Sequence, residues 1–215
     1  MSRSGAPRGH LDRTKIVDCV FLLSRSDPER DISFRRIGQE LDVAATALYR
    51  HFRDRDELMQ AAVDQLYADA LSRTDTGDSW DARLLSLSEE LAQLAIELPS
   101  IAREAPLTDG RGLGELALID VILEAFEEAG LSDEEAARAY AAFAGYVLTF
   151  AASLATEASR TGGAVGDDSP WIRVLDVKAA ARFPRLVRHQ EHLMSLTMLG
   201  VYRRGVAAII DSARR

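Results

Sequence analysis

One segment constrains the fold more than any other: Ile32-Ser-Phe-Arg-Arg-Ile-Gly-Gln-Glu-Leu-Asp-Val-Ala-Ala-Thr-Ala-Leu-Tyr-Arg-His-Phe52. Ile37, Leu41, Val43 and Leu48 recur at spacings that set them on facing sides of two short helices joined by a tight turn. Ser33 is a fitting N-cap for the first, which the pattern carries to about Leu41. Asp42-Val43-Ala44 reads as the turn, and the second helix covers about Ala45 to His51. Two helices this short cannot bury enough surface alone. They must lean on a third, and Ile16, Cys19, Val20 and Leu23 supply its apolar face between about Asp12 and Arg25. The outer face of the second short helix is then left free.

Helical periodicity dominates the rest of the chain, and no convincing alternating pattern of a strand appears. Asp54 can cap a helix from Arg55 to about Arg73, and the polar stretch Thr74 to Ser79 is the best boundary. A helix over Asp81–Leu98 stops at Pro99, and Arg103 to Gly114 is broken by Pro106 and three glycines. Glu115 to Ala129 is helical with Gly130 after it, and Ser132 with Glu135 forms a capping-box pattern opening a helix to about Ser159. Thr161 to Pro170 reads as a flexible loop, followed by a short helical piece near Ala179–Val187 and a final helix from about His189 to Ala213. The expected fold is all-α: a three-helix N-terminal domain over 10–57, with its helix-turn-helix at 33–52, and a helical domain over 58–215.

Charge and composition narrow the function. The net charge of −8 sits in the second part: residues 1–60 hold 11 basic and 10 acidic side chains, and the remainder 15 and 24. Arg35, Arg36, Arg50, Arg53 and Arg55 cluster in the near-neutral part, so a basic face can exist locally. A free helix flanked by such residues suits the major groove of DNA, with its ends and neighbours meeting phosphates. No apolar run approaches the ~20 residues that span a bilayer, and Met1 to His10 lacks the apolar core of a signal peptide. A cytoplasmic location without membrane contact is expected. The single Cys19 excludes an intrachain disulfide. An enzyme reading finds no Gly-x-Ser-x-Gly, no Cys-His pair and no metal-ligand spacing. Gly110-Arg-Gly-Leu-Gly114 echoes a phosphate loop but follows no strand, and His189 with His192 reads as a surface pair. No cofactor or metal is expected.

Ala47-Leu-Tyr-Arg-His-Phe52 followed by Arg53-Asp-Arg-Asp-Glu-Leu58 resembles the TetR family of bacterial repressors, and the likeness runs from Arg13 to about Leu66. The resemblance implies a DNA-binding regulator, not an enzyme. It places Arg35 where a side chain reaches base edges or phosphates, and Ala45, Thr46 and Ala47 on the exposed start of the recognition helix. Tyr49 and His51 match phosphate-contacting positions, and Arg55 starts the next helix, where a phosphate is also favoured. Three residues depart from the family pattern: Asp42 stands where Gly is usual, Ala44 where Ser or Thr caps, and Thr46 where Pro is frequent. Asp tolerates the left-handed conformation such a turn needs.

Residues 78–215 resemble the all-α regulatory domain of the tetracycline-repressor branch. This implies a homodimer built on two long helices, with Ala144, Ala151, Leu196, Leu199, Tyr202, Val206 and Ile209 at the interface. It also implies a pocket for a small-molecule effector, for which Trp80, Leu84, Leu87, Leu91, Ile119, Leu123, Phe126, Phe143, Val147, Phe150 and Trp171 are the candidates. Two-fold symmetry would match a palindromic double-stranded operator. The tetracycline repressor's metal-chelate site has no convincing equivalent here, so tetracycline is not expected. The remaining alternative is a helical interaction module that has lost DNA binding, but the Arg/Tyr/His set is present.

Overall fold

The computed structural model describes residues 11–75, 79–107, 112–163, 165–173 and 182–214. They form α1(Arg13–Ser26), α2(Phe34–Glu40), α3(Ala45–Leu48), α4(Arg55–Arg73), α5(Trp80–Glu97), α6(Pro99–Ala102), a 3-10 turn at Ala105–Leu107, α7(Leu113–Glu128), α8(Asp133–Arg160), α9(Pro184–Met194) and α10(Met198–Ala213). No strand occurs among the described residues; Pro170 and Thr197 make an isolated antiparallel bridge.

Side-chain caps fix the helix starts. Asp12 accepts from the Lys15 N–H at 2.9 Å, Ser33 from Arg36 at 3.3 Å and Asp54 from Glu57 at 2.8 Å. Each satisfies one of the donors a helix leaves free at its first turn. Glu135 closes the start of α8 by accepting from both the Ser132 N–H (3.0 Å) and its hydroxyl (2.7 Å). Asp42 sits in the turn at φ 53, the left-handed region expected of it.

Ile16, Val20, Ile37, Leu48 and Phe52, all essentially unexposed, lock α1, α2 and α3 together. α4 buries Leu58, Met59, Ala62, Val63, Leu66, Tyr67 and Ala70, because it packs on α1 at one end and on α5, α6 and α7 beyond. α8 is the centre of the second part, packed against α5, α6, α7 and α10. Gly112 and Gly114 have a close-approach role: a Cβ on either would lie about 2 Å from Asp64 (1.9 Å to its Oδ1, 2.1 Å to its backbone O). The glycines therefore let α7 start against α4, and the Asp64 carboxylate accepts from the Glu115 N–H at 3.0 Å. Gly110 and Arg111 lie outside the described residues.

Several expectations need correction. α3 is one turn long and passes into turns through His51. The single final helix is two helices, broken at Ser195-Leu196-Thr197. There Trp171 donates to the Leu196 carbonyl and Met198 to that of Ser169, both at 2.9 Å, while Thr197 caps α10. These bonds reach across the fold, so periodicity alone could not reveal them. The piece near Ala179–Val187 lies partly outside the described residues, and its described end belongs to α9, which starts at Pro184. By length and composition alone α8, with a mean hydropathy of 1.4 over its most apolar 18 residues, could cross a membrane, a test that the core helix of a bundle also passes. Its alanines raise hydropathy, while Phe143, Val147, Phe150 and Leu154 are buried in the bundle.

Gly38 lies where α2 meets the turn, and a Cβ there would sit 2.8 Å from the Val43 carbonyl oxygen. Gly38→Ala should lower stability by about 1–3 kcal/mol in chemical denaturation; a wild-type midpoint would show that the turn yields freely. Burial pushes the Cys19 thiol up to about 11, with Glu40 adding to the effect. A raised pKa leaves almost no thiolate near pH 8, so a thiol-disulfide reagent should leave the folded protein unlabelled there and react once it is unfolded. Fast labelling of the folded chain would contradict this packing.

Candidate nucleic-acid interface and ligand cavity

Leu48 and Phe52 anchor the recognition segment from beneath. What remains outward is Arg35, Thr46, Arg50 and Tyr49, the last 60% exposed, with Ala45, Ala47 and His51 half-buried beside them. The Tyr49 ring meets Phe34 edge-on at 4.8 Å, which props the phenol outward. Arg35, Gly38, Gln39, Asp42, Val43, Ala44 and Ala45 line an open groove between α2 and α3. Beneath His51, the Arg13 guanidinium donates to its backbone carbonyl, pairs with Glu57 at 2.9 Å and lies 3.9 Å over the Phe52 ring. Small side chains along α3 allow close approach to base edges, while Arg35 and the Tyr49 phenol offer donors at its flanks.

The arginine cluster does not face outward as a whole. Arg36 is buried; it donates to the carbonyls of Arg30 (2.6 Å), Leu23 (3.4 Å) and Asp27 (3.4 Å) and pairs with the Asp27 carboxylate at 3.2 Å. It holds the α1–α2 loop. Arg53 is exposed and pairs with Asp54 at 2.9 Å. Arg55, expected at a phosphate, is part-exposed but engaged within the chain: its Nε donates to the Ile32 carbonyl at 3.0 Å and its Nη2 to Glu104 at 2.6 Å. Glu104 arrives from 49 residues away, which no local pattern predicts. Arg35 and Arg50 make no ion pair among the described residues.

A small cavity lies between α4, α5, α7 and α8, with ≈ 20 Å³ open to the centre of a water molecule. Of the expected residues, Leu91, Ile119, Phe143 and Val147 line it. Ala144, expected at a dimer interface, also faces it. Leu84, Leu87 and Phe126 are instead buried core, Trp80 packs 6.3 Å from the Phe126 ring, and Leu123 is a partly buried core neighbour. Phe150 stacks on Trp171 and meets Tyr202 at a tilt, at 5.4 Å from each, and Trp171 is 44% exposed. These seven do not line the cavity. The sequence reading missed its polar groups, Tyr67, Glu115 and Tyr140. Tyr67 is 1% exposed and its hydroxyl has no hydrogen-bond partner. Burial raises the pKa of all three, and neighbouring Asp64 raises that of Glu115 further. Tyr67 is the sole aromatic residue on α4, a signal that could have drawn attention to it.

Residues 30–62 match the profile of bacterial regulatory proteins of the tetR family, and residues 73–211 match the tetracyclin repressor-like C-terminal domain. The chain belongs to the TetR family. An HTH-type transcriptional regulator of Saccharopolyspora erythraea is 27% identical over 138 residues, 64% of this chain and 58% of that protein, so the match spans little more than half of the relative. A possible TetR family transcriptional regulator from Streptomyces coelicolor A3(2) superposes with a TM-score of 0.74 at 26% identity, over 94% of this chain and 98% of that one. Streptomyces coelicolor ActR, in complex with actinorhodin, gives 0.75 at 21% identity over 95% and 97%. TetR-family proteins are regulators, which sets the enzyme reading aside.

Four of the interface residues that the TetR resemblance implied need correction too. Ala151, Leu199, Tyr202 and Val206 are buried inside their own protomer, and the Tyr202 hydroxyl donates to the Ser88 carbonyl at 2.7 Å. Leu196 is exposed in the helix break, and Ile209 is half-buried. The apolar repeat of α10 is the one that seats it on α8 and α5. The outward faces carry small residues, Ala141, Gly145 and Thr149 on α8 and Gly200 and Ala208 on α10, beside the exposed Arg203 and Arg204.

Because Arg55 bridges Ile32 and Glu104, Arg55→Ala and Glu104→Ala should be non-additive. A double-mutant cycle should give a coupling of about 0.5–1 kcal/mol, as for a partly exposed pair. Additive losses would mean that the bridge contributes nothing.

Proposed function

We propose that this TetR-family chain is a homodimeric, cytoplasmic, ligand-responsive regulator: a repressor that grips a palindromic DNA operator through α3 and leaves it when a small molecule enters the cavity. The observation that carries the DNA reading is the exposed set of Arg35, Thr46, Tyr49 and Arg50 on a helix pair whose apolar side is fully committed to the core. Ala45, Ala47 and His51 complete the contact set, and Arg55 leaves it for a linking role. Dimerisation is supported by the small outward residues of α8 and α10, which allow close helix approach. Symmetry would then present two recognition helices about one DNA turn apart.

Ligand release is supported by the path of α4. Its Tyr67 forms one wall of the cavity, and its first residue holds the Ile32 carbonyl just before the helix-turn-helix. A ligand that prefers a different position of α4 weakens DNA binding by the factor by which DNA weakens its own. Solved complexes of ActR with actinorhodin and with (S)-DNPA support the small-molecule part.

Titration of a labelled fragment of the gene's own upstream DNA tests the reading. Arg35→Ala and Tyr49→Ala should each weaken binding by about ten- to a hundredfold, and Arg35→Ala should also lower the salt slope by about one if it meets a phosphate. Arg55→Ala should leave that slope unchanged. Wild-type affinity in the first two variants would remove α3 and its neighbours from the interface.

A further inference from the structure

We propose that the cavity takes an organic cation: a protonated amine carried on a flat, apolar ring system. The inference rests on the reading of this cavity as the effector site and names the ligand's chemistry. Most of the wall is hydrocarbon and ring, with Phe143 and Val147 from α8 facing Leu118 from α7. Among the described residues, the polar groups are one carboxylate, Glu115, and two phenols, Tyr67 and Tyr140, and no basic side chain lines the space.

Glu115 is half-buried and makes no ion pair among the described residues, and its nearest charged neighbour is a second carboxylate, Asp64. Asp64 is already engaged at the start of α7, accepting from the Glu115 N–H. A half-buried carboxylate beside a second carboxylate is held at a cost, and a bound cation lowers that cost. An anion would add to it.

Tyr67 supplies an independent observation. Its hydroxyl is buried and unpartnered at the cavity wall, and such a group costs free energy until it is paired. A phenol oxygen accepts from an ammonium N–H, and the aromatic rings of Tyr67, Tyr140 and Phe143 line the same space, where a ring can attract a cation. The site therefore has acceptors for an ammonium head and an apolar lining that must part to admit its body, since only ≈ 20 Å³ is open as it stands.

Calorimetry with three probes that share one naphthalene ring tests this: 1-naphthylmethylamine, 1-naphthylmethanol and the 1-naphthylacetate anion. The amine should bind roughly tenfold or more tighter than the alcohol, and the acetate most weakly. Glu115→Gln, which keeps the shape, should erase the preference for the amine while the alcohol binds as before. Tyr67→Phe should weaken amine and alcohol alike. Equal affinities for the three probes, or the same ranking in Glu115→Gln, would overturn the cation while leaving the cavity as the binding site. Leu118→Trp, which fills the cavity, separates the two readings. Unchanged probe binding in that variant, or no binding of any probe to the wild type at millimolar concentration, would overturn the cavity itself. Melting of each variant establishes that it is folded.

Discussion

A single buried turn of helix joins the two halves of this protein. α6 follows directly from α5, because Pro99 ends one helix and begins the next, and Pro99, Ser100, Ile101 and Ala102 are all buried. It touches α1, α4, α5 and α8. Its polar groups are satisfied across the junction: the Ser100 N–H donates to the Ser24 hydroxyl at 3.1 Å, and the Pro28 carbonyl accepts from Ser159 at 3.1 Å and Ser100 at 3.4 Å. Arg103 ties Ser159 in at 2.6 Å. A paired network of this kind resists partial disruption, since any member that moves leaves a buried group unsatisfied. The loop before the helix-turn-helix is therefore fastened to the far end of α8.

α4 is the second link, and it works differently. Its upper half belongs to the core of the N-terminal unit and its lower half to the cavity. Between them Asp64 caps α7, so the start of α7 moves with α4. Gly112 and Gly114 leave no slack in that seam, with Asp64 atoms where their side chains would be. The same glycines read from sequence as an echo of a phosphate loop. Their role is contact between helices, which the sequence cannot reveal without knowing which helix passes by.

What was legible in the sequence was local. Ser33, Asp54 and the Ser132–Glu135 pair announced helix starts because a cap needs only residues within one turn. Asp42 announced its left-handed turn for the same reason. The illegible features all depend on distant partners. Arg36 and Arg55 looked like parts of a basic face, yet carbonyls and carboxylates from neighbouring elements capture them. Leu199, Tyr202 and Val206 made a stripe that suits a dimer or a core equally, and only α5 and α8 decide between these. The cavity is defined by the side chains that fail to meet, which no periodicity encodes; Glu115 and Tyr67 escaped because a search for apolar lining passes over them.

The closeness of the α4–α7 seam bears on how a ligand could be felt at the DNA. α7 and α8 form the opposite walls of the cavity, and a body entering between them must displace one or the other. α8 is held by α5, α6 and α10 together, so α7 is the wall with fewer restraints. Any shift of its first turn is passed to α4 through Asp64, since the glycine contact cannot compress. Arg55, at the other end of α4, then either drags the Ile32 carbonyl or parts from Glu104. On the proposed reading of the cavity as the effector site, both outcomes would change where α2 and α3 sit, since a packed interior transmits a shift instead of absorbing it.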